Sequence, residues 1–348
     1  MHKLFRWVLA LSLLAGLGSG LARARATATP GAAEDLLALL PASDLIAVVD
    51  ASRAFNELLP QLKAIAPGEI ARATREIEEF TAKTGIDPAK IRTAVVGARI
   101  GGGGTAIDRD SVAIILQGID VDPARIEAAV KLEGGSFRAA DYKGKSIYTV
   151  TPKPKAPEGT GDSAAPAKQR DPMSFSSLGN QTVAVGDEGS VKQVIDAQLA
   201  GAKGEANAKL TQVLRETKAT GLVRFAALMP DNLRQSLSSQ GDIFQQLGAV
   251  KLIFGSLEMA GDLSLTLDAR LRTGSQEEAT QLEASLKSLL AFGKAMLGGN
   301  QDPKFLAANQ LIEQVKISAQ TLDVTVLLLV PRAVIDQLAK PATPASKS

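Results

Sequence analysis

Cysteine and histidine are almost missing from this chain. Among 348 residues there is no cysteine, and the one histidine is His2. Ser-His-Asp and Cys-His catalysis, zinc sites built from His and Cys, His-ligated haem and iron–sulfur clusters all need these side chains. The composition therefore argues against most hydrolase mechanisms and predicts a fold without disulfides. We predict no catalytic, cofactor-binding or metal-binding residues and no cofactor.

Aromatic residues and surplus basic charge are also scarce. Trp7 is the one tryptophan, there are two tyrosines, and aromatic residues make up 4% of the chain. The 39 basic and 37 acidic residues give a net charge of +2, but residues 1–26 hold four of the basic residues and no acid. Without that segment, 35 basic residues face 37 acidic ones, which is a net charge of −2. Because neither phosphate neutralisation nor base stacking is supported, we expect no nucleic acid as a partner.

The amino-terminal segment, residues 1–26, has the layout of a secretory signal peptide. Lys3 and Arg6 precede an apolar run over residues 7–17, and two A-x-A sites follow over residues 22–26. The A-x-A sites place the expected cleavage near Ala26. The apolar run is shorter than the roughly 20 residues that span a membrane, which argues against the alternative of an uncleaved anchor. With no cysteine for lipid attachment, we predict a periplasmic or secreted protein that has no stable membrane anchor after cleavage.

The chain has about the length of two ordinary domains. Its 45% hydrophobic and 22% charged residues are typical of globular proteins. Segments with strand and amphipathic-helix patterns predict an α+β fold of two related halves, residues 35–200 and 205–340, each an antiparallel sheet covered by amphipathic helices. The sequences VIDAQL at 194–199 and VIDQL at 334–338 each follow a predicted strand pair. They support the duplication.

Two segments are predicted to be disordered. Residues 151–172 contain five prolines among Gly, Ser, Ala and Lys, a composition typical of a flexible loop. Strand patterns on both sides make this segment an insertion within the first half rather than a boundary. Residues 341–348 are predicted to form a disordered tail.

Two kinds of segment partly match known ligand sites. The glycine run at 101–104 could cradle a phosphate, but no P-loop or dinucleotide motif follows it, which favours a hairpin loop. The D-x-D pairs at 108–110 and 120–122 could offer oxygen ligands to calcium or magnesium. Neither continues into a calcium loop, and Asp122 followed by Pro123 fits a helix N-cap instead.

Carboxylates are the main catalytic groups that remain without histidine. Glu76, Glu78 and Glu79 lie on the polar face of a helix predicted over residues 69–84, where a solvated surface is the simplest interpretation. Paired carboxylates can nevertheless hydrolyse glycosides. A carboxylate-dependent hydrolase therefore stays open as an alternative.

A long amphipathic helix is predicted in the second half, beginning at a capping box of Ser275 and Glu278. Its apolar face carries Leu282, Leu286, Leu289 and Leu290 and continues to Phe292 and Met296. Core packing explains such a face. The alternative is that it presents an apolar groove to a lipid or a protein partner.

Three motifs resemble a family of bacterial extracytoplasmic domains of unknown function. They are LPASD at 40–44 before a strand, the YKG hairpin at 142–144, and VAVGDE at 183–188, which leads into a helix. The resemblance covers most of residues 35–200. It implies export and an α+β fold, and it implies no reaction or catalytic residue.

These observations favour a non-enzymatic function. We expect a secreted or periplasmic binding or assembly protein with a protein partner of the envelope or the secreted space, whose identity the sequence leaves open. A carrier of an apolar small ligand and a carboxylate-dependent hydrolase are the alternatives.

Overall fold

A computed structural model describes residues 30–63, 67–101, 107–108, 111–154, 171–202, 205–239, 245–297 and 303–339. The predicted signal peptide, most of the glycine run, the middle of the proline-rich insertion and the tail lie outside these residues. The strands are β1 Leu45–Asp50, β2 Thr93–Ala98, β3 Ala113–Gln117, β4 Ser136–Tyr142, β5 Lys145–Thr151, β6 Met173–Gly179, β7 Thr182–Gly186, β8 Val223–Leu228, β9 Leu252–Met259, β10 Leu265–Arg272, β11 Val315–Gln320 and β12 Asp323–Val330.

The helices cover both faces of these strands. They are α1 Pro30–Leu37, α2 (Ala51–Arg53, a π-helical stretch Ala54–Leu58, then Leu59–Leu62), α3 Pro67–Thr84, α4 Pro123–Leu132, α5 Glu188–Leu199, α6 Ala208–Arg215, α7 Asp231–Ser238, α8 Gln276–Leu297, α9 Pro303–Glu313 and α10 Arg332–Ala339. Short 3₁₀ turns lie at Pro88–Lys90, Glu205–Asn207 and Gln246–Ala249. The α+β prediction is confirmed.

The described strands form one antiparallel sheet in the order β11-β12-β10-β9-β8-β1-β2-β3-β7-β6-β5-β4. Read outward from the centre, β1-β2-β3-β7-β6 and β8-β9-β10-β12-β11 follow the same order, with helices at corresponding points of the chain. The hairpin β4–β5 is an addition at the outer edge of the first half. The two halves meet where β1 pairs with β8, with Ala47 opposite Phe225.

Alternating side chains give the sheet two packed faces. On the first face, which we call face A, Ile114 and Leu116 of β3 pack with Phe55 of α2 and Ile126 of α4. On the opposite face, face B, helices α1, α5 and α6 pack against the strands, and Ile115 is fully buried there. Burial on both faces explains why the sequence of β3 is a continuous apolar run and does not alternate between apolar and polar residues.

The two VID motifs lie at corresponding points of the chain but pack differently. Ile195 in α5 and Ile335 in α10 are both 0% exposed. Ile195 belongs to the cluster on face B, whereas Ile335 belongs to the cluster that includes face A. The strand order therefore repeats, and the position of the final helix does not.

Local signals in the sequence match the observed caps and turns. Asp122 accepts a hydrogen bond from the backbone N–H of Ala124 at 3.0 Å and caps α4, as predicted. The Ser275 hydroxyl accepts from the N–H of Glu278 at 3.2 Å, which confirms the capping interaction at α8. Lys143 and Gly144 both have positive φ and form the predicted two-residue hairpin turn.

A buried asparagine joins the beginnings of the two halves. Asn207 is 5% exposed, and its Oδ1 accepts from the backbone N–H of Ser43 at 3.0 Å. Its Nδ2 donates to the carbonyls of Leu40 and Pro41 at 3.3 and 2.9 Å. The amide thereby holds the turn before β1, which is the LPASD motif.

Candidate functional site

The second half carries an apolar sheet surface that is only partly covered. Strand pairing places Phe225, Leu267, Ala269, Val326, Leu328 and Val315 on face A of β8, β10, β12 and β11. All six side chains are partly exposed. We call these six residues the open apolar face.

The corresponding surface of the first half is closed. On β3 and β7, which match β10 and β12 in sheet order, the face A residues Ile114, Leu116, Val183 and Val185 are each at most 7% exposed. Helices α2 and α4 pack over them, and Ile77 and Phe80 of α3 pack against the same cluster. The difference between the halves therefore lies in the helical cover, since the strands are apolar in both.

The halves also differ in the length of the chain that joins their first two strands. The connection between β1 and β2 runs over positions 51–92 and forms α2 and α3. The connection between β8 and β9 runs only over positions 229–251, and its described helix α7 buries no residue. The second connection has 23 residues against 42 in the first, so it is shorter by 19 residues, slightly more than the 18 residues of α3. The second half thus lacks a segment of α3's size.

Helices α8 and α9 border the open apolar face and are themselves unusually apolar at their surface. The first half of α8 packs on the sheet through Ala279 and Leu282, both fully buried. Beyond them, four large apolar side chains are exposed: Phe292 (63%), Met296 (70%), Phe305 (42%) and Leu306 (44%). Contiguous exposed apolar surface is typical of interaction sites. Of the predicted leucine face, Leu282 is fully buried, while Leu286, Leu289 and Leu290 stay partly exposed.

Face B of the same strands is polar and tightly paired. The Arg272 guanidinium bonds Asp323 at 2.7 Å and Glu216 at 2.6 Å, and these carboxylates raise its pKa. Arg270 and Arg272 also stack over the Phe254 ring, at 5.9 and 4.8 Å from its centroid. Because these charges are already paired with each other, face B is a less suitable binding surface than the apolar face A.

A small cavity lies between α3, α4 and the end of β5. Its volume is about 190 Å³, and Glu76, Glu79, Lys83 and Glu133 are among the residues that line it. Lys83 donates to Glu133 at 2.9 Å, and this ion pair raises the pKa of Lys83. The structure therefore brings Glu76 and Glu79, two of the three predicted surface glutamates, to a shared cavity, and Glu78 does not line it. No pattern in the sequence indicated that Glu133 would join them.

Burial raises the pKa of Asp50, at the end of β1. Its carboxylate accepts from the backbone N–H of Arg53 at 3.0 Å, and Arg53 contacts Glu258 at 2.5 Å and the carbonyl of Met259 at 2.7 Å. Both partners belong to β9 of the other half. Asp50 is therefore an N-cap within a polar contact that joins the halves.

The other segments considered as ligand sites do not form one. Asp110 lies outside the described residues, as do three of the four glycines at 101–104, and Asp122 is a cap. Among the residues that the structure describes, no group of three His, Cys, Asp or Glu side chains could hold a metal ion. Within the same ranges, no helix combines the length and apolarity needed to cross a membrane.

No protein-family model matches the chain, and no curated protein matches it. The chain is similar to a solved structure described as crystal form I of TP0453, with 7% identity and a TM-score of 0.39 over 87% of this chain and 96% of that one. The resemblance to an extracytoplasmic family stays a prediction.

Proposed function

We propose that this chain is an exported, non-enzymatic binding or assembly protein that holds a protein partner on its open apolar face. One observation carries the proposal: six apolar residues of the second half stay partly exposed, while the matching strands of the first half are buried. Leaving such a surface uncovered costs about 25 cal/mol for each Å² of apolar area. A partner that covers the surface recovers this free energy.

The two alternatives from the sequence are less well supported. A carrier of an apolar ligand needs an enclosed pocket of about 300–1,000 Å³. The cavity that described residues line beside α3 has about 190 Å³, which is below this range, and is lined partly by charged residues. A hydrolase could use Glu76 or Glu79 in that cavity, but Glu133 is engaged by Lys83 there.

Photo-crosslinking in cells that make the protein natively tests this proposal. Benzoylphenylalanine replaces Leu267 on the open apolar face or, as the control, Ser318, which is exposed on face B of β11. We expect a polypeptide adduct at position 267 and none at 318. The absence of adducts, or the same adducts at both positions, would refute the proposal. An adduct with the mass of a small molecule would support the carrier instead.

Export is part of the same proposal and is tested separately. Sequencing the amino terminus of the protein isolated from the periplasm or the medium should give a chain that starts close to residue 27. An intact residue 1 on a membrane-bound form would contradict it.

A further inference from the structure

We infer that a second copy of this chain pairs with the outer edge of β4, so that the sheets of two molecules join across a two-fold axis. This pairing uses a surface separate from the open apolar face and does not depend on the proposed function. A free sheet edge presents backbone N–H and C=O groups that another strand can bind. When the two strands are identical and antiparallel, the result is a closed two-fold dimer.

The hydrogen bonds of β4 leave one side of the strand unpaired. The two-residue turn after β4 makes Tyr142 and Lys145 a hydrogen-bonded pair, so every second residue of β4 bonds β5. The N–H and C=O groups of Phe137, Ala139 and Asp141 therefore point away from β5. Of the described strands, β5 alone pairs with β4. These six backbone groups form the free edge.

The opposite edge of the sheet is protected. Helix α8 packs beside β11, and the Glu283 carboxylate accepts a hydrogen bond from the backbone N–H of Ala319 in that strand. Lys287 donates to the same carboxylate at 2.6 Å. A covering helix and a charge at the edge both hinder pairing with other chains. Residues 136–142 of β4 contain no proline, no lysine and no bulge, so β4 has no such protection of its own.

The β4–β5 hairpin, which is an addition to the first half, holds this edge in a fixed position. The Tyr142 hydroxyl donates to Asp196 of α5 at 2.9 Å, and Arg138 forms an ion pair with the same helix. On face A the Phe137 ring stacks on Tyr148, with 5.6 Å between the ring centroids. A strand that is already ordered loses little conformational entropy when it binds.

One two-fold register pairs all six free groups. With Ala139 on the axis, Phe137 of each copy forms a hydrogen-bonded pair with Asp141 of the other copy, and Ala139 pairs with its counterpart. On face B, Arg138 then lies opposite Ala140, and no like charges face each other. An axis through Arg138 or Asp141 would place two like charges opposite each other, which is unfavourable. The charges of β4 therefore favour a second copy in the register centred on Ala139.

The lack of cysteine allows a direct test by disulfide formation in the full-length exported protein. Ala139→Cys places two thiols on the axis, where the Cα atoms of a hydrogen-bonded pair are about 5.5 Å apart, within the range of disulfides. Ser136→Cys is the matched control, because it lies three residues from the axis and its two copies would be roughly 20 Å apart. After mild oxidation, non-reducing electrophoresis should show a linked dimer for Ala139→Cys and none for Ser136→Cys.

Charge at the same exposed position tests the register without a covalent bond. Ala139→Lys and Ala139→Glu each place two like charges on the axis. Each should raise the dissociation constant of the dimer, measured by sedimentation velocity, by roughly fivefold. An equimolar mixture of the two variants should dimerise at least as well as wild type. Ala139→Ser, which is small and uncharged, should behave as wild type, and far-UV circular dichroism of each variant confirms that it folds.

Three results would overturn the inference. The first is a wild type that stays monomeric over the whole concentration series. The second is a dimer that neither charged variant weakens, or equal cross-linking at positions 139 and 136, because the interface would then lie elsewhere. The third is a dimer that Ala139→Lys strengthens and Ala139→Glu weakens, because position 139 would then lie opposite Asp141 in a different register. None of these results affects the proposed function, which concerns face A of the second half.

Discussion

Truncating one leucine in each half should cost very different amounts of stability. Leu116 of β3 and Leu267 of β10 occupy strands at matching places in the sheet order, and both point to face A. Leu116 is 1% exposed, whereas Leu267 is partly exposed. The substitutions Leu116→Ala and Leu267→Ala therefore remove the same atoms from a closed and an open surface.

The expected difference follows from transfer and cavity terms. Leu→Ala removes three carbons, which are worth about 0.8 kcal/mol each when fully buried, or about 2.4 kcal/mol. At Leu116 the covering helices also leave a cavity, which brings the loss to about 4 kcal/mol. At Leu267 solvent or a shift of neighbouring side chains fills the space, so we expect a loss of about 1–1.5 kcal/mol.

Urea denaturation followed by far-UV circular dichroism measures this difference. The one tryptophan, Trp7, belongs to the predicted signal peptide, so helix content is the better probe. We expect the free energy of unfolding to fall by roughly 2.5 kcal/mol more in Leu116→Ala than in Leu267→Ala, with unchanged denaturant slopes. Equal losses, or a larger loss at Leu267, would refute the assignment of the second half as open.

Two further predictions concern polar contacts. Asn207→Ala should lower the free energy of unfolding by about 2–3 kcal/mol, because it leaves the buried N–H of Ser43 without an acceptor. Asn207→Asp is the control, since it keeps that acceptor. A urea titration that shows a loss of under about 0.5 kcal/mol for the alanine variant would contradict the prediction. The Lys143 ammonium, together with the Tyr142 hydroxyl, lowers the pKa of Asp196 from its ordinary 3.8. The contribution of this carboxylate to folding stability is therefore present above pH 3.8 and is lost as the pH falls through the lowered pKa. The stability gap between wild type and Asp196→Asn should be small, because solvent screens this exposed pair; it should be constant near neutral pH and close in acid. A gap that widens in acid would be inconsistent with this.

The fold could be predicted from the sequence largely because its signals are local. The alternation in the strands, the Asp122 cap and the Lys143-Gly144 turn depend on neighbouring residues, and each appears at its expected position. The strand order β8-β9-β10-β12-β11 repeats that of the first half, which the strand and helix patterns and the two VID motifs had only suggested. Helix α9 was not predicted, because its apolar residues have only a weak helical spacing and because it begins shortly after the end of the long helix α8.

The candidate surface could not be predicted in the same way. Whether Leu267 or Val326 is covered depends on which helices reach that part of the sheet, a property of long-range packing rather than of spacing along the chain. One indication was nevertheless present in the sequence. The connection between β8 and β9 is 19 residues shorter than the connection between β1 and β2, and comparing these lengths would have shown that the helices of the two halves differ.

The pairing of β1 with β8 also limits how the molecule can be divided. Each of these strands has its own half on one side and the other half on the opposite side. Cutting the chain between them would turn both into edge strands whose backbone N–H and C=O groups lack partners, and unprotected edges of this kind pair with other chains. A fragment of either half would therefore expose a self-complementary edge, so that two identical fragments could join as the halves do in the intact protein.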